Sequence, residues 1–366
     1  MSEQAILDLR MRDLDISIEQ SPVADRIDTV LSELARRGLK LRLHFWFSDE
    51  WACPDGIAGV AVPFYLAHPR LAAVERAHML EAEGSRRSDC LRVKPHVVFN
   101  LLEEFHGEAV YDQHMVSYLE LQRAAYTGCN PRGLVLGRDK ALSKKVLHYH
   151  RIRCPKFAVF PLGRRVRRPS RLPFPLIVKL LVEEGSTGIS EASVVYSDEK
   201  FVERVSFTHR SVGTDAIAEE FIDGREVYAG VMGNHRLTVL PPWELKIGEL
   251  RSDAPRIATR RVKFDLAFQN KHNIELGPAN FDEALTARYQ AGAKRIYRVL
   301  GLSGYARIDF RLTPQGELYF LEANPNPDIA RGEEFSSAAK AVGLEYEHLL
   351  EKLLNLGMSK ARSRSS

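Results

Sequence analysis

The segment Tyr305–Asn324 (YARIDFRLTPQGELYFLEAN) holds the densest group of chemistry-bearing side chains in this sequence. Two runs of alternating polar and apolar residues flank TPQG, a pattern that predicts two strands joined by a four-residue hairpin loop. With that loop, Leu312 is expected opposite Glu317, Arg307 opposite Glu322, and Asp309 opposite Phe320. Side chains alternate between the faces of a strand, so Arg307, Asp309, Glu322 and Asn324 share one face and Ala306, Ile308 and Phe310 take the other. Asp309 and Glu322 become diagonal neighbours, roughly 7–8 Å apart by backbone. Two carboxylates and an amide are hard oxygen donors suited to Mg2+, which keeps waters and takes further ligands from phosphates. Alternating charges on a strand ordinarily form a solvated face. Here an arginine, two acids and an asparagine converge beside the rigid turn-former ANPNP.

Three other segments suit a phosphate-bearing ligand. Lys140 follows Arg138 and Asp139, and Lys179 closes the apolar run PLIVK. A lysine in such a place either extends its ammonium to solvent or meets an anion. The stretch EEGSTGIS (183–190) is a small-residue loop whose glycines let backbone N–H groups approach a phosphate, so it can act as a lid. In AEEFIDGRE, Glu219 and Glu226 bracket apolar Phe221 and Ile222. Acceptors beside apolar walls suit adenine and ribose hydroxyls.

The elements that position these residues can be read from periodicity. Residues 1–38 read as helical with Gly38 as a stop, Leu39–Phe47 as a strand, 70–83 as helical again, and His96–Leu102 (HVVFNLL) as a strand buried on both faces. That alternation predicts a parallel α/β domain to about residue 138. A helix is expected over Arg138–Leu147, strands over Pro175–Val182 and Ala192–Tyr196, and a tight hairpin at Asp223-Gly224 between 216–222 and 225–231. Residues 233–280 read as irregular, Asp282–Val299 as a helix, and the C-terminal helix as ending near Leu356 with Gly357 as its stop.

Composition excludes collagen-like, low-complexity and wholly disordered chains: of 366 residues, 45% are hydrophobic and 27% charged. The 52 Lys+Arg against 48 Asp+Glu leave +4, too little for a nucleic-acid partner to be inferred. The longest uncharged stretch, Gly56–Pro69, has 14 residues and two prolines, short of the roughly 20 apolar residues of a span. No signal-peptide core opens the chain, so the cytosol is the expected address and no membrane partner is expected. Cys53, Cys90, Cys129 and Cys154 are scattered without a CxxC and read as reduced thiols. The arginines of 164–171 read as a solvated loop, and the twelve histidines show no metal spacing.

In combination, RID with LEANPNP, KLLVEEGSTGIS and RDKALSK resemble the ATP-grasp superfamily, closest to its D-alanine–D-alanine ligase branch, over about residues 94–355. The resemblance implies an α/β protein: an N-terminal parallel α/β domain plus two α+β subdomains that clasp ATP between them. The expected boundaries are a helical extension 1–38, the N-terminal domain 39–138, a central subdomain 139–219 with the lid loop, a C-terminal subdomain 220–356, and a disordered tail 357–366. Residue by residue, Lys140 and Lys179 resemble the lysines that bind the α/β-phosphates. Glu219, Phe221, Ile222 and Glu226 resemble the interdomain adenine and ribose hinge, with Phe320 and Leu321 also in the cofactor-binding set. Asp309, Glu322 and Asn324 resemble ligands of two Mg2+ ions, with Mn2+ as an alternative ion. Arg307 resembles the arginine that neutralises a developing oxyanion, and Lys263 a lid lysine reaching the terminal phosphate. Glu184 and Ser186 stand where the phosphate-covering loop contacts substrate.

The implied activity is an ADP-forming carboxylate–amine ligase acting on small molecules through an acyl phosphate, with homodimerisation compatible with the family. The alternative is an ATP-binding regulatory protein without a working acceptor site. The sequence departs from the family on the acceptor side. Asp328 stands where the family has a glycine, and Glu333 falls near the position of a carboxylate-binding serine. Asp328, Glu333 and Glu334 together suggest selection of a cationic acceptor. Phe45–Arg92 is weakly similar to the leading segment of a group of zinc peptidases, but the sequence has no HExxH.

Overall fold

The computed structural model describes residues 24–36, 44–48, 59–63, 95–103, 109–182, 190–248, 257–259, 262 and 265–365. The chain divides into two compact units, Met1–Lys94 and Pro95–Ser366. In the first, helix α1 (Ala24–Arg36) precedes β1 (His44–Ser48) and β2 (Gly59–Pro63). These two strands pair in parallel, His44 opposite Gly59 and Ser48 opposite Pro63. Gly38 and the helix expected at 70–83 lie outside the described residues.

The second unit begins with an irregular segment. The strand expected at His96–Leu102 is reduced to a single parallel bridge between Val98 and Tyr126, because Val98 alone finds backbone partners, at Ala125 and Thr127. Helices α2 (Asp112–Leu121), α3 (Pro131–Arg138) and α4 (Lys140–Tyr149) follow. The helix expected to begin at Arg138 is thus two helices. Asp139 takes an extended backbone and caps α4, accepting from the N–H groups of Ala141 and Leu142 at 2.9 and 2.8 Å.

Strands β3 (Phe157–Phe160), β4 (Leu176–Leu180) and β5 (Val194–Val195), helix α5 (Asp198–Val212) and strand β6 (Ala216–Glu220) form one layer pair. The sheet is antiparallel in the order β3-β6-β4-β5. Phe201 and Val205 of α5 bury against Leu176, Val178, Ala216 and Ala218.

The remaining elements build a second antiparallel sheet: β7 (Arg225–Met232), β8 (Thr238–Val239), β9 (Trp243–Lys246), helix α6 (Leu266–His272), β10 (Glu275–Pro278), helix α7 (Glu283–Val299), β11 (Tyr305–Leu312) and β12 (Leu318–Asn324). Its order is β10-β9-β7-β11-β12, with β8 on β7. The stretch expected to be irregular, 233–280, therefore supplies β8, β9, α6 and β10. One face lies under α7, where Tyr289 meets Phe310 at 6.2 Å between ring centres. The other carries α8 (Glu334–Lys340) and α9 (Tyr346–Ser365), with Phe335 5.8 Å from the Tyr305 ring.

Three expectations are corrected here. Asp223-Gly224 does not turn a hairpin: β6 pairs only within the first sheet and β7 only within the second, so the dipeptide carries the chain from one sheet to the other. Gly224 is required there by position, since a Cβ would lie 2.2 Å from the Leu312 carbonyl oxygen. The C-terminal helix does not stop at Gly357. It runs to Ser365, and Gly357 lets it touch the backbone of Tyr126, whose oxygen would be 2.6 Å from a Cβ. The tail expected to be disordered from 357 is accordingly helical to Ser365.

The third correction concerns register. The loop between β11 and β12 is one residue shorter than expected: Thr313 N–H donates to Glu317 O at 3.0 Å, closing a three-residue loop with Gly316 at φ 79°. Leu312 therefore faces Leu318, and a bulge follows at Leu321. Beyond it Asp309 faces Glu322 and Arg307 faces Asn324. The shared face of the four polar residues survives, because directly opposed residues point the same way. The diagonal relation of the two acids does not. They are direct cross-strand partners.

Gly230 lies opposite Arg307 on β7, and a Cβ there would come 2.7 Å from Leu240 Cδ1 and 3.2 Å from the Phe335 ring. We expect Gly230→Ala to lower stability in urea unfolding by about 1–3 kcal/mol through overpacking beneath α8.

Candidate active site

Four backbone features bring the site together: the β11–β12 ribbon, the N-terminus of α4, the end of β4 and the β6–β7 crossing. On the ribbon, Asp309 is buried and accepts a two-pronged contact from Arg307, with Nε to Oδ1 at 2.7 Å and Nη2 to Oδ2 at 2.9 Å. The remaining guanidinium nitrogen, Nη1, donates to Glu334 Oε1, and Cζ lies 5.1 Å from the Tyr228 ring centre. Burial works against this charge, but Asp309 and Glu334 outweigh it and hold the guanidinium charged. Asn324 Oδ1 accepts the Asn326 backbone N–H at 2.8 Å, fixing the side chain at the start of the proline turn.

Lys140, the first residue of α4, is held by its own N–H to Leu181 O, and its ammonium lies 3.4 Å from Glu322 Oε2. Each acid of the ribbon thus has a cation beside it. Gly137 lets the preceding helix, α3, pack close against the end of the ribbon, since a Cβ there would lie 3.0 Å from the Pro325 ring.

Deeper in, Glu219 is fully buried and bound by two ammonium groups: Lys179 to Oε2 at 3.1 Å and Lys144 to Oε1 at 2.8 Å. Burial alone would raise the Glu219 carboxyl, but the two lysines pull it below its ordinary value of 4.5. Burial likewise opposes the charge on Lys179, and Glu219, Glu322 and Glu226 overcome it, so its pKa rises. Lys144 goes the other way: its complete burial outweighs Glu219 and lowers its pKa. Lys144 also donates to the carbonyl of Leu321, the bulged residue, and stands 5.5 Å over the Phe320 ring.

At the crossing, Phe221 N–H donates to Pro175 O at 2.9 Å while its ring packs on Ile177, Val194 and Ile257. Ile222 is half-buried. Glu226 accepts from Tyr228 Oη at 3.0 Å and from Arg311 at 3.3 Å. Phe320 pairs with Phe310, fully buried on the α7 side. It is not brought to the face of Asp309 and Glu322. Lys263, Glu184 and Ser186 lie outside the described residues.

The D-alanine–D-alanine ligase C-terminal domain model matches residues 151–355, more than half of the chain. The chain belongs to the D-alanine–D-alanine ligase family. A D-alanine–D-alanine ligase of Bordetella petrii is 30% identical over 262 residues, covering 70% of this chain and 76% of that protein. An uncharacterised protein of Sinorhizobium fredii is 30% identical over 260 residues, covering 71% and 74%. Among solved structures, the D-Ala:D-Ser ligase VanG of Enterococcus faecalis has TM-score 0.58 at 26% identity, covering 72% of this chain and 73% of that one. The D-alanine–D-alanine ligase of Bacillus anthracis complexed with ATP has TM-score 0.61 at 19% identity, covering 78% and 84%, a likeness of fold.

As a member of this family the chain has the ATP-grasp fold and is an ATP-dependent ligase that forms C–N bonds between small molecules with a divalent metal. No helix among the described residues is long and apolar enough to cross a membrane. Three residues that the structure brings to this cluster were not singled out from sequence. Lys144 had a usable signal, one helical turn after Lys140 in RDKALSK and so on the same face. Arg311 and Tyr228 had none, because only the pairing of β11 with β7 sets them around Glu226.

The ligase's buried trio can be tested by stability. Glu219→Gln should lower it by about 3–5 kcal/mol near pH 7, since two buried ammonium groups lose their counter-charge. Because the folded carboxyl titrates below 4.5, its contribution is present above that pH and fades as pH falls through the folded value. The gap between wild type and variant in urea midpoints should therefore narrow in acid.

Proposed function

We propose that Arg307, Asp309, Glu322 and Asn324, with Lys140 and Lys179, carry out ADP-forming ligation of a carboxylate to an amine of amino-acid type. The observation that supports this reading is the common face of the ribbon, with Lys140 3.4 Å from Glu322 and Arg307 forked onto Asp309. Nucleotide lies between the subdomains 139–219 and 220–356, against Glu219, Phe221, Ile222, Glu226 and the backbone at Leu321. Lys140 and Lys179 meet its phosphates. Asp309, Glu322 and Asn324 hold two Mg2+ ions, with Mn2+ able to substitute. The donor set fits: two carboxylates and an amide leave Mg2+ the remaining positions for water and phosphate oxygens. Among the described residues no cluster of three or more His, Cys, Asp or Glu side chains forms a closed metal cage.

ATP with its metal supplies the phosphoryl group that turns a poor carboxylate leaving group into an acyl phosphate, and the positive charge that shields it. The chain's own residues do the rest. The lysines fix the phosphates in line with the carboxylate. The amine then attacks the acyl carbon, the C–N bond forms, and the C–O bond to phosphate breaks. Arg307 donates to the oxygen that carries the charge of the tetrahedral intermediate. The lid loop with Glu184 and Ser186, and Lys263, keeps water from the acyl phosphate. D-Alanine, the substrate named for the relatives, is replaced on the acceptor side by another amine, because Asp328 and Glu333 stand where glycine and serine are expected. The enzyme works in the cytosol, as a monomer or homodimer, without nucleic-acid or membrane partners.

The test is Mg2+-dependent phosphate release with a pool of amino acids and dipeptides, followed by mass spectrometry of the products. Wild type should release phosphate and yield a condensation product, and Glu322→Gln should lower the rate by about 100-fold or more. Nucleotide binding with no amide from any pair would overturn the ligase assignment of these residues.

A further inference from the structure

Glu334 has no counterpart among the roles proposed above, yet its carboxylate is buried and accepts from Nη1, the one guanidinium nitrogen of Arg307 that Asp309 leaves. The helix that delivers it is firmly seated. Phe335, the next residue, is buried against Tyr305, Leu240 and Ile329, in the space that Gly230 leaves free. Glu333 stands at the N-cap of the helix without a side-chain bond to its backbone, shares a side-chain hydrogen bond with Glu334, and has its carboxyl raised by burial and by Glu334 and Asp328. The three acids expected to act together stay within reach of one another's charge but differ in what they bind. Glu334 faces the arginine, while Asp328 is exposed and binds the Ala330 N–H at 2.8 Å.

We infer that Glu334 is a positioning residue, which aims the Arg307 guanidinium at the oxygen that becomes negative when the amine attacks. This rests on the role given to Arg307 under the proposed function. Asp309 has two claims on it, the guanidinium and the cation, whereas Glu334 faces the guanidinium from outside the ribbon. A guanidinium held at Nε and Nη2 by one carboxylate and at Nη1 by another, from two different elements, cannot swing about its Cδ–Nε bond. It keeps its remaining donor capacity in one direction. A displacement of about 1 Å at such a group lowers rates by about 100-fold.

The experiment compares wild type, Glu334→Ala and Glu334→Gln in three readouts: ADP affinity with Mg2+, hydroxamate formed when hydroxylamine traps the acyl phosphate, and amide formed from the amino-acid pool. Alanine should leave ADP affinity and hydroxamate yield within about twofold of wild type and lower amide formation by about 100-fold. Glutamine keeps an oxygen that accepts from Nη1, and should recover about tenfold of that loss, leaving amide formation about tenfold below wild type. The inference is overturned if hydroxamate and amide fall together, if alanine and glutamine are alike, or if neither lowers amide formation. Should alanine fail to fold, glutamine decides alone: amide formation about tenfold below wild type with unchanged ADP affinity supports the role, and wild-type rates overturn it. A wild type that yields no amide overturns the ligase reading itself, and this inference with it.

Discussion

Asp309 and Glu322 stand directly across from one another on neighbouring strands. Like charges in that relation repel, and a sheet accepts them only where cations stand close by. Arg307 answers Asp309 and Lys140 answers Glu322, so the ribbon's charges close on themselves before any ligand arrives. The same arrangement makes the ribbon receptive. Under the proposed function, a metal entering between the acids would relieve their repulsion and free the ammonium of Lys140 for phosphate oxygens. The site's chemistry therefore follows from a single pairing register. A one-residue slip would turn one acid to the α7 face, away from Arg307 and Lys140.

The two sheets are joined in a second way, through buried charge. Lys144 reaches Glu219 on one sheet and the Leu321 carbonyl on the other, and Lys179 shares Glu219 from the neighbouring strand. Such a group is poor evidence of stability in itself, because removing three charges from water costs much of what their attraction returns. Its value lies in specification. Only one relative placement of α4, β6 and the β12 bulge satisfies all three groups at once, and that placement sets Lys140 and Lys179 toward the ribbon's polar face.

The acceptor side is built differently. The chain from Asp328 to Glu334 carries three acids, and the structure gives them separate surroundings: one exposed, one half-buried beside like charges, one buried on an arginine. Family resemblance could name the departure from glycine and serine at these positions. It could not say which acid faces Arg307, because that depends on how closely α8 approaches β7 over Gly230.

The sequence by itself determined the alternation of polar and apolar residues on the ribbon, and with it the common face of Arg307, Asp309, Glu322 and Asn324. Period-two patterning is local, and it survived a wrong loop length. It also marked Lys140 of RDKALSK and Lys179 of PLIVK, and its ordered motifs carried the family. What it left open were distances between elements remote in the chain. Register changed with a three-residue loop and a bulge, both fixed by backbone hydrogen bonds rather than by residue type. Asp223-Gly224 suited a hairpin equally well, and only the assignment of β6 and β7 to different sheets made it a crossing. Gly357 looked like a helix stop until the backbone of Tyr126 lay against it. Local pattern fixes which way a side chain points. What it meets there is decided by packing.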